Sequence, residues 1–262
     1  QLTKKKVVYN FRQNDLKNGG QGAPLTPIFH NLIANKYLKE ELNKSYSINI
    51  LNIGGISNIT QTARWDELYK KKNYIKACDI GPGNCLIDEW VRKKSKKKYD
   101  FGGALADVGK TDKLILNQAL ENFNIGPPYK DSLDIKDFDI SFAKGLSLED
   151  GTTTLSDFTS YQITKALNYF KDPEKNTIFL VCGGGRKNKY LMNSILRSVD
   201  KIKHSKKINF YPIEKYGING DFVESQAFGY LAIRSFLNLP ISFPNTTGCK
   251  KPICGGEIIQ NF

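Results

Sequence analysis

No apolar run in the 262-residue sequence approaches the roughly 20 residues that a membrane-spanning helix requires. The opening stretch, Gln-Leu-Thr-Lys-Lys-Lys, lacks the apolar core of a signal peptide. These absences lead us to expect a cytoplasmic protein with no membrane partner. Cysteine is sparse and odd in number: Cys78, Cys85, Cys182, Cys249 and Cys254, with no Cys-x-x-Cys spacing. That argues against a disulfide framework and against structural zinc, and no protein metal site is expected. Repeats, low-complexity tracts and flexible linkers are missing too. Positive charge is abundant, at a formal +13. Its densest clusters, at 70–72, 92–98 and 201–207, have no aromatic residues interleaved for base stacking, so nucleic acid is not the expected partner.

What the sequence does have is glycine in turns. The stretch Asp79-Ile80-Gly81-Pro82-Gly83-Asn84 stands between a short apolar segment and the helix-like run Cys85 to Val91. Two glycines around a proline predict a turn whose N–H groups face an anion, with a helix N-terminus behind them. Gly81, Gly83 and Asn84 are therefore candidate nucleotide-binding residues. Asp79, at the mouth of that turn, stands where a general base would work beside a phosphate. A strand, Thr177 to Cys182, runs into Gly183-Gly184-Gly185-Arg186 and then a helix, the arrangement in which a ligand lies over the carboxyl ends of a sheet. These four residues join the nucleotide-binding candidates. A third glycine loop, Gly19-Gly20-Gln21-Gly22, has a composition suited to close ligand approach.

The remaining pattern is mixed α/β. Residues 47–53 and 56–60 alternate around Gly54-Gly55 as a hairpin, with Asn52 and Asn58 near its bend. A strand is expected from Tyr74 to Ile80 and another from Ile208 to Ile213. Helices are expected from Pro27, over 104–123 with a break at Gly109, from Leu155 to Phe170, over 190–199 and through Leu237. Residues 129–150 carry no clear pattern. His30 reads as a packed residue rather than a ligand. Asp221 and Glu224 have the spacing of a capping box.

Taken in order, GGQGAPL, NIGGISNIT, DIGPGN, YDFGG-x-x-A, VCGGG-R-x-N and GINGD-x-x-E-x-x-AF resemble the motifs of anhydro-N-acetylmuramic acid kinases, within the actin-like, Hsp70-like and sugar-kinase superfamily. The resemblance implies a ribonuclease-H-like (actin-like ATPase) lobe, a mixed sheet flanked by helices, with ATP and Mg2+ in a cleft. It implies a phosphotransfer to an alcohol with hydrolytic ring opening: 1,6-anhydro-N-acetylmuramic acid, water and ATP give N-acetylmuramic acid 6-phosphate and ADP, a step in peptidoglycan recycling. Asp79 matches the family's general base and Glu224 a second acidic residue near the sugar; Gln21 and Asn58 are further candidate sugar contacts. The family's opening phosphate loop, GxMSGTSxDG, and its His-Gly-Gln-Thr segment do not occur in this sequence, and Gly102 stands where the family often has Asp. The chain thus reads as a fragment inactive alone: residues 1–240 as the second lobe of a two-lobed kinase and 241–262 as a tail returning toward the first, with a homodimer as the expected assembly. The alternatives are another sugar or acetate kinase of the superfamily, or a non-catalytic nucleotide-binding scaffold.

Overall fold

The computed structural model describes residues 6–68, 75–123, 125–202 and 206–259. The lysine cluster at 70–72, part of that at 201–207, and Tyr74 lie outside them. In chain order the strands are β1 (Val7–Tyr9), β2 (Ser47–Ile53), β3 (Ile56–Gln61), β4 (Lys76–Pro82), β5 (Thr177–Cys182), β6 (Ile208–Pro212) and β7 (Glu257–Ile259). The helices are α1 (Gln13–Lys17), α2 (Pro27–Tyr37), α3 (Lys39–Asn43), α4 (Trp65–Leu68), α5 (Cys85–Lys94), α6 (Ala104–Val108), α7 (Lys113–Asn122), α8 (Leu148–Phe170), α9 (Lys189–Val199), α10 (Val223–Phe236) and α11 (Pro244–Thr247).

Strands β2 to β6 form one sheet in the order β4-β3-β2-β5-β6. β3 runs antiparallel to both neighbours, while β2, β5 and β6 are mutually parallel. A three-stranded meander extended by two parallel strands beside its first strand is the ribonuclease-H-like order, so the expected mixed sheet flanked by helices is what forms. The all-apolar β5 is buried at every position because both faces of the sheet are covered. Alternation sends Ile178 and Leu180 toward Phe29 and Ile33 of α2 and Ala227 of α10. It sends Phe179 and Val181 toward Ile163 and Leu167 of α8 and Ile195 of α9.

The long helix starts earlier than the apolar spacing indicates, at Leu148, with Ser147 accepting from the Asp150 N–H at 3.0 Å. Its first turns hide three polar, β-branched residues, Thr152, Thr153 and Thr154. Each hydroxyl donates to the carbonyl four residues back, at 2.7 to 2.9 Å, which satisfies it inside the protein. The expected break near Gly109 is found between α6 and α7, and Asp112 caps α7 through the N–H groups of Leu114 and Ile115.

Residues 241–259 pack on other described parts of the chain. β7 pairs antiparallel with β1, and Ile241 and Phe243 share a core cluster with Leu25, Ile28 and Leu231. The stretch from 241 to 259 thus meets residues 7–28. Among the described residues no helix is long and apolar enough to cross a membrane.

Candidate active site

Asp79 is a strand residue. It stands within the strand rather than at the mouth of the turn, because β4 continues to Pro82 along its ladder with β3. Across that ladder its Cα partner is Asn58, and the register shifts between Ser57 and Asn58. A bulge at this point re-aims side chains next to it. The Asp79 residue is 8% exposed. Its Oδ2 accepts from the Leu133 N–H at 2.9 Å and from the Ser132 hydroxyl at 3.2 Å. Burial pushes its pKa above the ordinary carboxylate value; the two hydrogen bonds and the nearby Arg12 guanidinium oppose that rise only in part. A carboxylate in this state accepts a proton more readily than a solvated one. Both hydrogen bonds fall on Oδ2 and leave Oδ1 as the available acceptor.

The two donors come from the strap of residues 129–134, within the stretch whose pattern is unreadable in the sequence. Gln21 meets the same strap: its Nε2 donates to Lys130 O at 3.0 Å and its Oε1 accepts from the Ser132 N–H at 2.7 Å. Behind Gln21 the glycine loop wraps the buried carboxylate of Asp15. Oδ2 of Asp15 accepts from the Gly22 N–H at 2.8 Å and Oδ1 from the Thr247 hydroxyl at 2.7 Å.

The turn expected to cradle phosphate is closed from behind. The Gly83 N–H donates to Gly55 O at 2.8 Å, Asn84 to Gly54 O at 2.7 Å, and Cys85 to Gly55 O at 3.2 Å. The β2–β3 hairpin turn thus takes up the N–H groups of Gly83, Asn84 and Cys85, leading into α5, that an anion would otherwise meet. A Cβ on Gly83 would run into the Gly54 carbonyl, and Gly81 packs on Gln162 of α8. Gly83 is glycine because the Gly54 carbonyl comes close, and Gly81 because its φ of +142° strains any other residue while Gln162 lies against it. Gly185 is likewise closed in, against Ile53.

A cleft of about 740 Å³ brings together most of the other candidates: Asp79, Gln21, Asn58, Glu224, Arg186, Gly183 and Gly184. The Gly54-Gly55 turn and Arg12, which the sequence reading did not assign, border it as well. Gly183 has φ of +81°, open to glycine but strained for other residues. Asn58 contributes a buried Oδ1 without a hydrogen-bond partner. Arg186 is held rather than free: it donates to Glu214 at 2.7 Å, to Gly183 O at 2.8 Å and to Asp221 at 2.9 Å. Asp221 also accepts from Lys187 at 2.7 Å. The expected capping box is therefore not formed; Asp221 is drawn to these two cations, and Phe222 precedes α10 with no side-chain cap. Glu224, in the first turn of α10, is left exposed at the cleft. His30 is buried, with Nδ1 2.8 Å from Thr60 Oγ1, and desolvation lowers its pKa to about 4, so it is a neutral packed residue.

A second cavity, about 920 Å³, begins on the other side of Gly184. Asn84 lines it together with Asp88, Phe101 and Asn193. Gly102 sits at its edge with φ of +66° and no atom near the position of a Cβ. Among the described residues no group of three His, Cys, Asp or Glu is arranged to hold a metal ion.

Comparison with known proteins adds the lineage. The family model described as anhydro-N-acetylmuramic acid kinase matches residues 1–261. Proteins of that name are similar to this chain in Pelagibacter ubique (52% identical, covering 100% of this chain and 66% of the relative), Zymomonas mobilis (38%, 98% and 65%) and Brucella anthropi (37%, 99% and 64%). The chain thus spans slightly less than two thirds of the length of these relatives. Among solved structures, the activator of 2-hydroxyisocaproyl-CoA dehydratase from Clostridium difficile with bound ADPNP superimposes at a TM-score of 0.40 with 10% identity, covering 78% of this chain and 67% of that one, too loosely to bear on the site. The family match extends over nearly every residue, through the strand that carries Asp79 and both glycine turns of the cleft, and on it the chain belongs to the anhydro-N-acetylmuramic acid kinase family.

Proposed function

We propose that this chain carries the base and the sugar side of an ATP-dependent kinase that opens 1,6-anhydro-N-acetylmuramic acid with water and phosphorylates the released O6. The observation that carries the reading is the Asp79 carboxylate: buried, raised in basicity, tethered through one oxygen only, and set in a cleft with two glycine turns. Asp79 takes the proton of a water as that water's oxygen bonds to the anomeric carbon. The C1–O6 bond breaks with its electron pair on O6, and O6 bonds to the γ-phosphorus as ADP leaves. The leaving oxygen is itself the phosphoryl acceptor, so one carboxylate serves where glycosidases use two.

Glu224, exposed at the cleft, is suited to sugar hydroxyls and to the acetamido N–H, and Asn58 lines the same cleft. Arg12 has the charge to meet the lactyl carboxylate of the muramic acid. The β- and γ-phosphates would lie against the Gly54-Gly55 and Gly183-Gly184 turns, with the nucleoside in the 920 Å³ cavity past Gly184. Arg186 shapes the Gly183 turn through its carbonyl. Mg2+ is commonly held by one or two carboxylates and by substrate phosphates, and the separate carboxylates of Asp134 and Glu224 at the cleft fit that pattern. The metal would neutralise charge on the transferring phosphoryl group. We extend the same reading to a cytoplasmic homodimer, for which sedimentation at twice the protomer mass is the check.

The test is isotopic. The complete protein carrying this chain is incubated with the anhydro sugar and ATP in 18O-water. The label is expected on the anomeric hydroxyl of a 6-phosphorylated product. Label found only in inorganic phosphate, or an unopened sugar, would overturn the reading.

A further inference from the structure

We infer that Gln21 is a positioning residue for Asp79, acting through the 130–133 strap, rather than a contact to the sugar. The inference rests on the reading of Asp79 as the base. Both polar ends of the Gln21 amide are engaged by the strap, to Lys130 O at 3.0 Å and from the Ser132 N–H at 2.7 Å. The next groups along the same strap, the Ser132 hydroxyl and the Leu133 N–H, are the two donors to Asp79 Oδ2. On either side the strap has its own anchors. Tyr129 packs on Tyr169 and Phe170, with ring centroids 5.6 and 6.1 Å away, and the Asp134 N–H donates to Asp137 at 2.7 Å. Between these anchors Gln21 holds the strap at the place where it delivers its donors.

Gln21 can do this because its own backbone is fixed. Its N–H donates to Thr247 O at 2.8 Å, and the loop around it is built on buried Asp15, whose carboxylate fills the place a Cβ on Gly20 would occupy. A side chain projecting from so constrained a loop positions its amide with little freedom. The consequence is a choice between two chemically equivalent oxygens. A carboxylate rotates about its terminal bond with a broad, twofold preference. Donors on Oδ2 stop that rotation and present Oδ1 to water. The strap and Gln21 also form the wall between the cleft and a neighbouring cavity of about 680 Å³, since Gln21, Ser132 and Asp79 border both.

The test uses Gln21→Met, which keeps the length of the side chain and removes both hydrogen bonds, with Gln21→Ala as the second variant. The first readout is the carbon NMR titration of the Asp79 carboxyl in this chain, without sugar or nucleotide. Charged and titratable groups acting on Asp79 or bordering the same two cavities include Arg12 before α1, Cys78 and Lys76 of β4, Tyr129, Lys130, Asp131 and Asp134 of the strap, Glu224 of α10 and His30 of α2, and none is altered. Weakening two bonds to the charged form should raise the midpoint by about one pH unit. Ser132→Ala should raise it less, and combining it with Gln21→Met should add little, because both act on one strap. In the complete protein kcat should fall about ten- to a hundredfold, with KM for the sugar within about twofold. A KM raised about tenfold with the Asp79 titration unmoved would overturn the inference and make Gln21 a sugar contact. A moved titration in a protein that never turns over the anhydro sugar would support the link between Gln21 and Asp79 and count against the kinase reading alone.

Discussion

Replacing Asp79 by Asn separates what its charge does from what its shape does. Asn keeps an oxygen to receive the Leu133 N–H and the Ser132 hydroxyl, so the strap retains both of its bonds to β4. It cannot take a proton from water. Loss of a general base costs about a hundred- to ten-thousandfold in kcat, which is roughly 3 to 5 kcal/mol of barrier. The glycine turns on the nucleotide side are untouched, so ATP affinity should not change. Stability should move the other way. The native pKa of Asp79 is raised mainly by burial, so the folded state favours the neutral form. Below the unfolded-state value both states are protonated and nothing is lost. As the pH climbs through the window between the unfolded and the raised native value, the unfolded chain ionises first and the native state loses stability, a loss complete above the native value. The Asn variant never ionises and is spared that loss. At pH 7 it should be at least as stable as the parent toward urea, with the difference shrinking as the pH falls toward the ordinary carboxylate range. Turnover within threefold of the parent would remove Asp79 as the base. A variant less stable at pH 7 by more than about 1 kcal/mol would show that the ionised carboxylate is a structural anchor, contrary to the burial argument.

Three more outcomes are expected. Gly83→Ala forces a methyl group against the Gly54 carbonyl and should cost about 2 to 3 kcal/mol in urea unfolding; an unchanged midpoint would mean that the hairpin turn does not cap α5 as described. His30, favoured neutral in the fold with a pKa of about 4, should leave the native state less stable by about 3 kcal/mol as the pH drops from 6.5 to about 4, since the unfolded imidazole protonates first; an NMR midpoint near 6.5 for His30 contradicts this. Arg12→Ala should raise KM about tenfold for the muramic sugar in the complete protein and leave KM unchanged for the 1,6-anhydro amino sugar that lacks the lactyl group; an equal rise for both would remove the carboxylate contact.

The elements that could be read from the sequence are those whose identity rests on period. The apolar run of β5, the alternation of β2 and β3 around Gly54-Gly55, and the spacing of α9 and α10 all appear close to where they were expected. Asp79, Asn58 and Glu224 could be named because their motifs survive in order, and the fold does bring them to one cleft. What stayed hidden depends on partners. Glycine at 83 signals that something approaches closely, but the residue type does not say whether the visitor is a phosphate or a carbonyl of the β2–β3 hairpin. The spacing of Asp221 and Glu224 permits a capping box, but it cannot weigh a backbone N–H against the guanidinium of Arg186 and the ammonium of Lys187. The start of α8 was obscured because threonine is a weak helix former until its hydroxyl has a carbonyl to meet. The strap left no trace at all, because half of its contribution is the backbone N–H of Leu133, a group every residue but proline possesses.

The position of β4 in the sheet explains why a strap was needed and how one could be accommodated. Among the described residues β4 lies at the edge of the sheet, with β3 on one side and no further strand on the other. A residue in β2 or β5 is flanked by ladders on both sides and by helices above and below, so donors to its side chain must come from the sheet or its covering helices. An edge strand is open laterally, which is ordinarily a liability, since unpaired strand edges invite other chains. Here the loop between α7 and α8 brings an N–H and a hydroxyl to one oxygen of the Asp79 side chain. The same loop is tied through Gln21 to the glycine segment before α2, and through Asp15 and Thr247 to the end of the chain. The geometry of a single carboxylate thus depends on three segments far apart in sequence. A lesion in any of them should register in the titration of Asp79 before it registers in the melting of the sheet, because the sheet's own ladders and apolar faces do not include these contacts.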